Sequence, residues 1–320
     1  MSKAPKIWLI IAAFLVLIGC IIFVGVMVAL KWDFTKLSTS KYETNRYEFN
    51  DNYQNISVIT DTADVTFLPS EDSKCYVECY EQSNLKHSVT MKGDTLVIEI
   101  SDTRKWYEYI GINFGASKVT VFMPQGAYGA LSTKLSTGNV EIAKDFKFES
   151  IEVETTTGDV KNDASALEGI KIKTTTGRIR VENVSAGSLD LSVSTGNINV
   201  TSVSCEGNVT IGVSTGKTYL TELACKNLTS NGDTGDLTLK NVISAEKLSV
   251  ERSTGDVKFD GCDATEIFVK TDTGDVMGSL LTDKVFIIKT NTGNVNVPNS
   301  ITGGRCEINT DTGDIIIDVQ

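Results

Sequence analysis

Two rules of polarity divide this chain. From Ile7 to Leu30 no position is charged and nearly all are apolar, IWLIIAAFLVLIGCIIFVGVMVAL. At about 1.5 Å per residue such a run reaches roughly 36 Å as a helix, enough to cross the hydrocarbon core of a bilayer with some tilt. Lys6 and Lys31 bracket it, and Trp8 and Trp32 sit near its ends as interfacial anchors do. Residues 7–30 read as one transmembrane helix, with residues 1–6 a cytoplasmic tail. Leu17-Ile18-Gly19-Cys20 resembles a lipobox, yet the residues after Cys20 are as apolar as those before it, where a cleavable signal would stop. A short tail before the helix and a long domain after it suggest a signal anchor with the domain outside the cytoplasm.

From residue 131 the pattern changes to period two around a repeated Thr-Gly pair. The glycines are Gly138, Gly158, Gly177, Gly196, Gly216, Gly235, Gly255, Gly274, Gly293 and Gly313, always 19 or 20 residues apart. Apolar residues fall seven and five places before the glycine (Ile151 and Val153, Ile170 and Ile172) and two and four after it (Val140 and Ile142, Ile198 and Val200). Alternation rich in Val, Ile and Thr predicts strands, and no interval between runs is long enough for a helix. A fixed period of this size marks a solenoid. Each coil is expected to be strand, tight turn, strand, looser turn, with coils stacked in parallel about 4.8 Å apart. The predicted fold is all-β, a parallel β-solenoid (β-helix) of about ten 19–20-residue coils in residues 131–320.

The corner itself is [Ser/Thr/Asp/Asn]-Thr-Gly, usually followed by Asp or Asn. Short polar side chains hydrogen-bond a turn backbone, and glycine adopts a positive φ that other residues resist. Asp159, Asp236, Asp256, Asp275 and Asp314 after the glycine, with Asp233, Asp272 and Asp311 before it, raise the alternative of a carboxylate stack holding Ca²⁺. Asn139, Asn197 and Asn294 at the same corner, and Arg178 and Lys217 in place of the acid, favour turn chemistry. No metal and no cofactor is expected.

Residues 46–130 are richer in aromatics: 15 of the chain's 24 lie in 31–130 and 6 in 131–320. A solenoid needs its first apolar layer covered, so this segment is expected to be an N-terminal β cap, joined to the helix by a linker at 31–45. ITDTADVTF at 59–67 looks like a degenerate repeat with Ala63 where glycine would stand. Trp106, Tyr107 and Tyr109 in KWYEYIGINFG are the candidate ligand-binding residues, since such aromatics stack on sugar rings or enter a lipid interface; packing the cap's loop is the plainer alternative. His87, the only histidine, reads as an ordinary strand or turn residue. Outside the apolar helix Cys75, Cys79, Cys205, Cys225, Cys262 and Cys306 form no CxxC pair, which disfavours zinc. A net charge of −11 disfavours a nucleic-acid partner. No catalytic residue stands out.

The apolar helix, the segment VTVFMPQGAYGALSTKLSTGNVEI and the repeated TTTGDV and STGNINV units together resemble the bacterial toast-rack family, adhesin-like β-solenoids that include membrane-anchored proteins of Lia-type envelope-stress systems. The resemblance implies an extracytoplasmic solenoid with a role in envelope stress, surface assembly or adhesion, and carries over no catalytic residue. Two functions remain open: a non-enzymatic scaffold that binds envelope proteins or surface glycans, and a polysaccharide-active β-helix enzyme. Enzymes of that architecture need long insertions between coils, for which gaps of 19 or 20 leave no room. The ending DTGDIIIDVQ stops half a coil after Gly313. Ile315 and Ile317 are expected to face the core and the last strand to form an open edge, a place for self-association.

Overall fold

The structure is a computed structural model that describes residues 3–33, 41–49, 53–72, 74–102, 104, 106 and 115–320. Lys3–Ala29 is a single α-helix, and Lys6–Ala29 within it is long and apolar enough to cross a membrane. The strands that follow belong to one continuous sheet that winds into a parallel solenoid.

Each central coil has three strand runs where the sequence suggested two. After Gly177 these are Ile179–Glu182, Ser185–Ala186 and Leu189–Thr195. Each pairs in parallel with its equivalent one coil on: Ile179 with Ile198, Ala186 with Cys205, Leu189 with Val209. The looser turn is therefore a short third side. Its corner falls six residues after the glycine, where Asn183, Ser202, Glu222, Asn241 and Gly261 all take φ between 51° and 63°. Only Asn and Gly in that column advertise a left-handed corner. Ser202 and Glu222 do not, so the third side was hidden.

The Thr-Gly corner is as expected. All ten glycines have φ between 130° and 155°. A second constraint acts there too, because a Cβ on Gly235 would lie 1.9 Å from the carbonyl oxygen of Gly216 in the coil beneath. Glycine recurs because the chain turns left-handed and because stacked corners touch. Inside, Val140, Ile142, Ile151, Val153, Ile170 and Ile172 and their equivalents are buried in one unbroken apolar column.

Both ends depart from simple sequential stacking. At the amino-terminal end Asn55–Pro69 is already a coil: Thr62 pairs with Thr137 and Val65 with Val140, so Ala63 does stand at the glycine position. The next strands fold back outside it. Thr95–Asp102 and Ser117–Met123 pair in parallel with its two halves. Leu85–Lys92 and Cys75–Gln82 then close these antiparallel, and Tyr42–Phe49 adds a last antiparallel strand. That last strand begins at Tyr42, four residues inside the stretch read as linker.

The carboxyl-terminal end corrects the expected edge. Gly304–Thr312 pairs with Val257–Thr273 on one side and with Lys284–Thr292 on the other. Ile315–Val319 likewise lies on Val276–Leu280, with Val295 and Asn296 covering Ile315 and Ile316 from outside. The chain thus lays down its outermost layer first and slides the final coil beneath it. Ile315 and Ile317 are buried as expected. The open edge belongs to Lys284–Thr292, and of the last strand only its tip, from Ile317 on, lacks an outer neighbour.

Candidate functional site

Three places were worth testing for chemistry. The first is the aromatic loop. Trp106 is 78% exposed, while Tyr107 and Tyr109 lie outside the described residues.

The second is the polar corner, whose side-chain oxygens turn out to be engaged by the neighbouring coil. The backbone N–H of Asp159 donates to Oδ1 of Asn139 (2.9 Å), that of Arg178 to Asp159 (2.7 Å), and that of Lys217 to Asn197 (2.9 Å). The same step runs from Asp275 to Asp256 (2.9 Å) and from Asp314 to Asp275 (2.8 Å). Each Asp or Asn caps the next corner, as side chains of this kind do in turns. Arg178 and Lys217 receive such a bond and return none, which is why the column tolerates them. Lys217 instead reaches Asp236 at 2.9 Å, and that ammonium holds the Asp236 carboxyl below its usual range. Inward threonines three residues before the glycine serve the same corner: Thr310 Oγ1 donates to the carbonyl of Gly274 (3.2 Å).

That inward column is Thr, Val or Leu in the other coils, but Gly232 and Arg252 occupy it in two successive ones. A Cβ at Gly232 would sit 1.6 Å from Arg252 Nη1, so the missing side chain makes the hole the guanidinium fills. Nη2 donates to Ser230 Oγ (2.9 Å) and Thr218 Oγ1 (3.4 Å), both at positions that are apolar in most coils, while Nε has no partner. Burial lowers this guanidinium to about 10, against the pull of Asp233. Four departures from the repeat, scattered over residues 218–252, thus meet at one buried polar spot.

The third place is at the cap. Cys79 and Glu81 alternate on the inner face of Cys75–Gln82, and the hairpin to Leu85–Lys92 brings His87 over them. His87 Nδ1 lies 2.7 Å from Glu81 Oε2, which also accepts the His87 backbone N–H at 2.6 Å. Asn45 Nδ2 donates to Glu81 Oε1 (2.7 Å), and His87 Nε2 lies 2.9 Å from Thr60 Oγ1. Cys79 and Glu81 are fully buried and His87 is 3% exposed. A sulfur, a carboxylate oxygen and a ring nitrogen here lie within 4.8 Å of one another. Sequence reasoning missed this gathering because Cys-x-Glu followed by a lone His six residues later matches no familiar ligand spacing; the turn at residues 83–84 was the available signal.

The Thr60–His87–Glu81 line has the connectivity of a hydrolytic triad, but its hydroxyl is only 6% exposed. A nucleophile needs a substrate carbon beside it. The grooves lie elsewhere. One of about 250 Å³ runs along the third side past Phe148, Ala166, Leu167 and Gly187, below the roughly 300–1,000 Å³ of ordinary ligand pockets. The six cysteines beyond the helix are buried and unpaired. Burial raises the thiols of Cys79 and Cys306 to about 12 and of Cys225 to about 11.

The solenoid is similar to several crystal structures at low identity. One is a candidate lipid-binding protein from Parabacteroides distasonis ATCC 8503, 14% identical, with a TM-score of 0.48, covering 85% of this chain and 98% of that one. A candidate adhesin from the same organism has 11% identity, a TM-score of 0.45 and the same coverage. A candidate adhesin from Bacteroides fragilis NCTC 9343 is 14% identical, with a TM-score of 0.41, covering 88% and 99%. No curated protein matches the sequence. The family profile of Toastrack DUF4097 matches residues 53–214 and again 206–320, so the chain belongs to the Toastrack DUF4097 family.

Proposed function

We propose that this chain is a membrane-anchored, extracytoplasmic rod that serves the cell envelope as a non-enzymatic binding scaffold, in surface assembly or the response to envelope stress. The observation that carries the reading is the unbroken stacking. From Gly126 to Thr273 equivalent strands pair coil on coil, with register shifts of a single residue and no inserted loop. Walls of that kind present flat polar columns to a partner and leave no cleft in which to desolvate a substrate. The relatives' adhesin names and the apolar helix support the same reading.

Because the native thiols beyond the helix are buried, topology is best read with a new one. Lys240→Cys, on an exposed wall position, should react with a membrane-impermeant maleimide on intact cells, and the wild type should not. Labelling only after permeabilisation would overturn the outward orientation. The purified full chain in detergent, incubated with wall polysaccharides, should leave their chain lengths unchanged; shortening would favour the enzyme reading.

A further inference from the structure

We propose that Cys79, Glu81 and His87 form a metal site that takes one zinc-class divalent ion and staples the cap. The three ligand atoms come from the two strands of one hairpin, and that hairpin closes the first layers of the rod.

The donor set selects the metal. A thiolate, an imidazole and a carboxylate are ligands of Zn²⁺, whereas Ca²⁺ and Mg²⁺ require oxygen. With both acids ionised and the imidazole neutral, a divalent ion makes the buried cluster electrically neutral. Burial without such balance is costly.

The outer contacts fit as well. Metal-bound histidines hold their second nitrogen on a fixed partner, and metal-bound carboxylates are themselves hydrogen-bonded. Here Thr60 Oγ1 stands 2.9 Å from Nε2 and Asn45 Nδ2 donates to Oε1 at 2.7 Å, leaving Nδ1 and Oε2 turned toward each other in a cluster whose sulfur, oxygen and nitrogen lie within 4.8 Å. Those two atoms are 2.7 Å apart, closer than roughly 3.3 Å for two ligands of one tetrahedral ion with bonds near 2.0 Å. Entry of the ion must therefore open this contact. Cys79 releases its thiol proton to solvent, and the single ring proton moves from Nδ1, where it faces Glu81, to Nε2, which then donates it to Thr60. Three protein ligands leave one position for a water.

The full chain, purified in detergent under reducing conditions and stripped with chelator, should bind one equivalent of Co²⁺ with a thiolate-to-metal absorption band that one equivalent of Zn²⁺ abolishes. X-ray absorption of the wild-type zinc form should show one sulfur neighbour at about 2.3 Å among nitrogen and oxygen neighbours. Cys79→Ala and His87→Gln should lose the band, Cys75→Ala should keep it, and Thr60→Val should weaken binding about 10–100-fold. Because the spectra are taken on the wild type, misfolding of a variant leaves the proposal exposed to refutation. No stoichiometric binding, a sulfur-free or two-sulfur shell, or a band surviving in a folded Cys79→Ala variant would each overturn it.

Discussion

The two ends of the rod solve the same problem with opposite results. A solenoid exposes its last apolar layer and a row of unpaired backbone groups at each end. At the amino-terminal end the chain doubles back outward, so antiparallel strands lie over the first coils and their outward faces are studded with charge pairs. Lys86 pairs with Glu43 (2.5 Å), Arg46 with Glu78 (3.3 Å) and Lys92 with Glu99 (3.0 Å). At the carboxyl-terminal end the chain doubles back inward. Its final coil is buried and the previous one is left outside, bearing Val285, Phe286, Ile287 and Ile288 in a row. Only half of that row is shielded: Val285 and Ile287 face outward, and the inward Ile288 is only partly buried where its partner Ile308, one layer in, is fully buried. Stacking order decides which layer carries the exposure.

The same substitution at each end should break the symmetry most. A Cβ at Gly138 would lie 2.0 Å from the carbonyl of Ala63, and one at Gly293 equally close to that of Gly313. Both glycines hold φ above 140°. Gly138→Val parts the cap from the rod and should cost more than the roughly 1–3 kcal/mol of backbone strain alone. Gly293→Val should free only the outer layer, leaving the main thermal transition in place while proteolysis begins within 284–303. Equal losses of melting temperature would mean that the two ends are equally secured.

Glu81→Ala should come next. It strips an acceptor from His87 Nδ1, the His87 backbone N–H and Asn45, and breaking one side of a buried pair costs about 3–5 kcal/mol. The check is the urea midpoint of the metal-stripped protein. A change below about 1 kcal/mol would show that the cap is wet at this point.

The sequence made the rod legible and left the ends obscure, for one physical reason. Inside the rod every coil meets an equivalent coil, so each constraint is written ten times, and Gly235 or Ile172 could be placed from periodicity alone. At the ends each contact occurs once. Nothing in Lys284–Thr292 says that it will be overtaken by Gly304–Thr312, because both strands carry the same inward pattern and the same Thr-Gly corner. The same holds for the cap site, where His87 read as an ordinary strand residue until the hairpin folded it onto Glu81. Arg252 carried no signal of its own, since its meaning required Gly232, Ser230 and Thr218 to be brought together.

Equivalent positions in the last two layers test the inverted order directly. Ile308 is fully buried and Ile288 only partly, although each stands five residues before its glycine. Ile308→Ala should cost about 2–5 kcal/mol and Ile288→Ala about 1 kcal/mol. The reverse ranking would put the final coil outermost after all.

The smallest effect concerns the outward face of the same edge. Ile287→Lys removes no buried contact and should change stability by no more than about 0.5 kcal/mol. Its consequence should be seen in association instead. Lys284 turns inward and is held by Asp263 (2.6 Å), so Lys289 is the charge left on the outer face of a strand whose backbone is open. The outermost amino-terminal strands, Tyr42–Phe49 and Leu85–Lys92, also have one open side but carry the charges of Glu43, Arg46, Lys86 and Lys92. That makes the apolar carboxyl-terminal edge the better one for pairing with a second copy about a two-fold axis. Light scattering of the full chain in detergent should show a dimer that grows with concentration and disappears in Ile287→Lys at unchanged melting temperature. Ile316→Lys, a layer further in under Asn296, should leave the dimer in place if it folds. A dimer that survives Ile287→Lys must be held elsewhere, the apolar helix included, and a wild type that stays monomeric would mean that Lys284 and Lys289 suffice to blunt the edge.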